Sequence, residues 1–144
     1  MSERVRLVEQ HIIKPTNPCW SAIDSASFAS KNLYNLANYH IRQAYIHDHR
    51  YLPMKELYAL LKGSDAYTAL PRKVSNQVFL QVYHDWGAYY EAIKVWRVAP
   101  EKFLGNPKIP KYKDKEKGRN ILTYEKGAIS RDEKLTGQGI VRPS

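Results

Sequence analysis

From Trp20 to His49 neither proline nor glycine interrupts the chain, and Ile23, Ala26, Ala29, Leu33, Ala37, Ile41 and Ala44 recur at intervals of three and four. That is the period of one face of an α-helix, and an unbroken helix of this length runs roughly 45 Å at ~1.5 Å per residue. A second long helix is expected from Pro71, well placed at a first helical position, to about Val98, before Pro100 ends it. Its stripe is Val74, Val78, Val82, Trp86, Tyr89, Ile93 and Trp96, a set of core residues rather than a ligand cage. Between the two, Pro53 opens a short helix with Leu57, Leu60 and Leu61 apolar; Gly63 stops it and Ser64-Asp65 reads as the turn.

The polar side of the first helix carries Lys31, Asn35, Asn38 and Arg42, and Lys73, Gln77 and Gln81 share a face of the second long one. Asn and Gln pair with adenine edges and Lys reaches guanine or phosphate, so both faces are candidate nucleic-acid contacts. From spacing alone, plain helix solvation is the favoured reading of Lys73 and Gln77.

The flanks differ in character. Arg4 to Ile13 alternates and predicts a first strand, which Lys14-Pro15-Thr16-Asn17-Pro18 breaks. After Phe103 glycine and proline become frequent; Asn120 to Tyr124 reads as a strand, with weaker ones at Gly127–Ile129 and Gly139–Val141. Isolated strands must find partners, so the expected class is α+β, mainly α with a small β part, a sheet or barrel interrupted by a helical insertion. The expected division is residues 1–14 as first strand, 15–104 as helical domain, and 105–144 as basic connector and returning strands.

That connector is the most basic part of the chain. Pro107 and Pro110 fix their own φ and push Asn106 and Ile109 out of the helical region. If the extended run continues beyond Lys108, then Lys111, Lys113, Lys115, Lys117 and Arg119 lie on one edge, repeating every ~6.6 Å, close to two phosphate steps of ~3.4 Å each. Such a rail suits a polyanion. Asp114 and Glu116 interleave with the lysines and Gly118 loosens the end, so a solvated zwitterionic loop is the other reading. Tyr112, between two lysines, either stacks on a splayed base or caps the local core.

A net charge of +9 and a pI near 9.6 in 144 residues point to an anionic partner. Nucleic acid fits better than membrane, because the tyrosines and tryptophans are spread through long polar helices and no apolar run approaches the ~20 residues of a bilayer span. Met1 to Gln10 has no apolar core of a signal peptide, and the single cysteine, Cys19, makes neither an internal disulfide nor a cysteine-based zinc site from this chain by itself. The expected location is the cytoplasm. The five histidines show no metal-ligand spacing, and there is no nucleophile elbow or glycine-rich phosphate loop. No cofactor, no metal and no intrinsic catalysis are expected.

Five segments, Leu7–Ile13, Ser30–Asn35, Leu70–Val78, Phe103–Lys113 and Gly118–Tyr124, resemble in order the amino-terminal region of the TnpB or OrfB-type transposon proteins. The resemblance implies a wedge-type β-barrel whose first strand is followed by an inserted helical recognition domain, the barrel being incomplete in this chain. Proteins of that family are RNA-guided DNA nucleases related to the type V CRISPR effectors. Their RuvC-like acidic triad and zinc ribbon lie carboxy-terminal to the region matched here. The implied function is therefore a non-catalytic nucleic-acid-binding module of a DNA transposition protein, with guide RNA or DNA, or both, as partner. By similarity, Lys73, Gln77 and the Asn120 to Thr123 strand are candidates for contacts with the flanking duplex, and the lysine series, Lys108 included, for holding backbone. Asn106 stands where relatives often carry Arg. An open barrel further implies unpaired strand edges, hence self-association or a carboxy-terminal partner. The rival reading is a helical protein-interaction or assembly module whose charge aids solubility.

Overall fold

The computed structural model describes residues 6–125 and residue 129. Four helices follow in order: α1 (Trp20–Asp48), α2 (Met54–Leu61), α3 (Asp65–Thr68) and α4 (Arg72–Val98), then a single 3-10 turn, Pro100–Lys102. The remaining described chain, 103–125, is an irregular, largely extended strap. The three expected longer helices form at close to the expected limits. The Ser64-Asp65 turn is instead the start of α3, where the Ser64 hydroxyl accepts the Tyr67 N–H at 3.2 Å as a helix cap.

The α+β expectation is overturned: among the described residues there is no sheet and no barrel, and the only β feature is one bridge residue, Ile129. The reason is physical. Leu7, Val8 and Ile12 stand 89%, 96% and 84% exposed, so the alternating segment has no edge to pair with, and alternation without a partner does not make a strand. At the other end, the Asn120 N–H donates to Ser27 O at 3.1 Å and the Ser30 hydroxyl to Ile121 O at 2.9 Å. A helix has taken the backbone groups that a ladder would use. Residues 127–128 and 139–141 of the two weaker strands lie outside the described residues.

The two long helices run parallel, since Tyr34 meets Asp85, Asn38 meets Trp86 and Tyr45 meets Tyr89. Parallel neighbours need a return path, and α2 with α3 supplies it: Tyr51 packs near Tyr83 and Tyr90, while Tyr67 packs on Phe79 further back along α4. The strap then descends against α1, giving an up–down–up–down course in which extended chain occupies the fourth place. The core between these members is built from Leu33, Ala37 and Ile41 of α1, Leu57 and Leu61 of α2, Tyr67 of α3, and Val78, Phe79, Val82 and Trp86 of α4. Each of the leucine, isoleucine, valine and phenylalanine side chains contributes roughly 1.5–3 kcal/mol on burial. No helix among the described residues is long and apolar enough to cross a membrane.

Candidate nucleic-acid interface

The polar stripe of α1 is a ladder that holds the strap by its main chain. Arg42 Nη1 donates to Pro110 O at 2.7 Å. Asn38 Nδ2 donates to Pro110 O at 3.1 Å and Lys111 O at 3.4 Å, while its Oδ1 accepts the buried Trp86 indole N–H at 2.9 Å. The Asn35 amide makes a reciprocal pair with Lys113, giving Nδ2 to the carbonyl and accepting the N–H, both at 2.9 Å. Lys31 Nζ donates to Lys115 O and lies 3.7 Å from the centre of the Phe28 ring. Asp24 ends the series, accepting Arg119 Nε at 2.8 Å and Nη2 at 3.1 Å. The strap thus runs antiparallel to α1, matched rung by rung.

This arrangement relocates several expected contacts. Lys31 is 1% exposed and Asn35 is spent on backbone, so neither faces a ligand; Arg42 is committed to Pro110 and stacks 4.7 Å from the Tyr112 ring. Burial holds the Lys31 ammonium below the usual lysine range, and the Arg119 charge pushes the same way. Asn120, buried, exchanges two amide bonds with Gln81 at 3.0 and 3.1 Å and donates to the Ser30 hydroxyl at 3.0 Å. It is a joint between strap, α1 and α4. Gln77 donates to Glu125 at 2.8 Å; Lys73 and Thr123 are exposed.

The straight rail also changes. Asp114 accepts the backbone N–H groups of Glu116 and Lys117 at 3.0 and 2.7 Å, and the Gly118 N–H closes on Asp114 O at 3.1 Å. These bonds, Lys117 first, hold the Asp114 carboxyl below the usual range. The turn at 115–117 breaks the alternation, so the five cations do not share one edge. Gly118 is required there because a Cβ would collide with the Asp114 carbonyl. Lys113 Nζ packs 4.7 Å from the Tyr34 ring, and Arg119 is tied to Asp24, whose carboxyl it keeps low by hydrogen bonding. Lys108, Lys111, Lys115 and Lys117 remain exposed on the fixed strap.

Comparison with protein-family models, curated proteins and solved structures found no match. Among the described residues no group of three His, Cys, Asp or Glu gathers as a metal site would require, and Cys19 is an exposed free thiol. Sequence reasoning missed Asp24, Ser30 and the Asn38–Trp86 bond. A signal existed: Asp24, Lys31, Asn35, Asn38 and Arg42 follow one helical stripe, and a polar stripe that long beside an extended proline-rich segment is as well suited to main-chain partners as to an external ligand.

Proposed function

We propose that the chain is a nucleic-acid-binding module that tracks a phosphate backbone along its strap, the role implied by its resemblance to the amino-terminal region of TnpB and OrfB-type proteins. The observation that carries this reading is that exposed Lys111 and Lys115 project from a main chain whose carbonyls and amides α1 fixes between Pro110 and Lys115, with Lys117 on the adjoining Asp114 turn and Lys108 just ahead of the held stretch. Cations on an ordered backbone lose less freedom on meeting phosphates than cations on a loose tail. Lysine contacts of this kind position a strand and carry no base information. Lys73 and Thr123 remain candidates for an added duplex contact.

Replacing the four lysines with alanine should flatten the dependence of log K on log salt by roughly three to four units, if each meets one phosphate. Fluorescence anisotropy against single-stranded and duplex DNA and RNA reads this directly. An unchanged slope overturns the proposal. One observation favours the assembly reading instead: the exposed Leu7, Val8 and Ile12 of the amino-terminal segment. Its expected basis in unpaired strand edges is gone among the described residues, and light scattering of a variant with all three changed to serine tests what is left. An unaltered oligomeric state removes it.

A further inference from the structure

Where the strap leaves the 3-10 turn and crosses α4, an open groove of about 540 Å³ lies between the two, within the usual ~300–1,000 Å³ of small-ligand sites. Tyr89 and Phe103 give it aromatic surface, and Ala88 and Ala92 leave room on the α4 side. Lys108 and Lys111, both exposed, line it from the strap. The remaining polar group is a carboxylate. Asp85 Oδ2 accepts the Tyr34 hydroxyl at 2.6 Å, which fixes the group. Among the described residues its Oδ1 has only His84 Nδ1 nearby, at 3.8 Å, beyond hydrogen-bond reach. A carboxylate oriented by Tyr34 and 38% exposed to solvent, in a chain of net charge +9 and sharing a groove with two exposed lysines, suits a ligand with N–H donors at one edge and negative charge at another. Aromatic walls add a flat ring to that description.

We propose that this groove receives one unstacked nucleobase of a single strand whose flanking phosphates lie on Lys108 and Lys111. The base stacks on Phe103 or Tyr89 and turns its donors to Asp85 Oδ1. Guanine is favoured, because its pairing edge presents two adjacent donor groups where the other bases present one. The inference rests on the nucleic-acid reading above and specifies its ligand: single strand over duplex, with one base read.

The test is anisotropy with labelled oligothymidines carrying one central guanine, adenine or abasic site, using the full chain and the variants Asp85→Asn and Ala88→Trp. Ala88 is exposed on α4, so the tryptophan fills the groove without entering the core; circular dichroism melts check the fold of both variants. The guanine strand should bind roughly tenfold tighter than the abasic one. Asp85→Asn should erase the guanine preference and Ala88→Trp all dependence on the base, both with the salt slope intact. Salt-steep binding indifferent to the base overturns the groove and leaves the proposed function standing; salt-flat binding to every oligomer overturns both. Free guanosine monophosphate competing as well as the strand would assign the site to a mononucleotide and overturn the strand proposal, as would tighter binding of the matching duplex.

Discussion

Asn38 works on both sides of its buried amide: its oxygen accepts from Trp86, and its nitrogen donates to Pro110 and Lys111. Asn38→Ala would leave the buried indole N–H without a partner, at ~1–3 kcal/mol, and would take one donor from the strap, whose Pro110 carbonyl keeps Arg42, at ~0.5–1.5 kcal/mol, so a loss of roughly 2–4 kcal/mol is expected in urea unfolding. Trp86→Phe in the same background should cost less than it does alone, since the orphaned indole donor goes with it. Lys31 behaves differently, for its ammonium is buried without a carboxylate partner among the described residues. Its lowered pKa means that the unfolded chain binds the proton more readily, so its contribution to stability rises with pH up to the ordinary value of 10.5. Lys31→Met should therefore leave stability at neutral pH unchanged or higher, as melting temperature will show, and Lys31→Glu should lower it. Both residues lie on a stripe that reads from sequence as a binding face. The misreading has a physical source: their partners are main-chain groups, which every residue carries and no residue type announces.

The long helices were legible because burial on one side imposes a period on side-chain chemistry, and Val74, Val78, Val82 and Trp86 show it plainly. The strap was not, because its docking leaves no period in the strap itself. Two elements hold testable strain. His49, beyond the end of α1, sits at φ 48°, the left-handed region, while the Arg50 N–H returns to Ala44 O at 3.0 Å. An L side chain there costs roughly 1 kcal/mol or more, so His49→Gly should raise stability by up to ~1 kcal/mol and the melting temperature by a few degrees. At the strap turn the sign reverses. Gly118→Ala forces Cβ into the Asp114 carbonyl, so the turn must open and the Arg119–Asp24 pair must shift. Faster amide exchange at Glu116 and Lys117, with core amides unaffected, is the expected signature.

Across the whole molecule, tyrosine is the dominant titrating residue of the interior. Burial, first among the causes in each case, raises Tyr34, Tyr67, Tyr83, Tyr89 and Tyr90 above the ordinary 10.0; Tyr89, also bonded to the Tyr45 hydroxyl, is pushed up to about 12. A group whose folded pKa is raised contributes its full stability below the unfolded value and loses it as pH climbs through the folded one. Stability should hold to pH 10 and then fall steeply through about 12, outweighing the single opposite contribution of Lys31. Denaturation midpoints across that range, with tyrosinate absorbance appearing only as the chain unfolds, check this; a flat profile would contradict the packing described. The strap has a different consequence. Because α1 holds the strap over Pro110–Lys115 by carbonyls and amides, and of its side chains packs against Tyr112 and Lys113, the lettering at positions 108, 111, 115 and 117 can be rewritten while the frame beneath stays the same. A family of chains sharing α1 would display interchangeable inscriptions, each addressed to a different ligand, on one common mount.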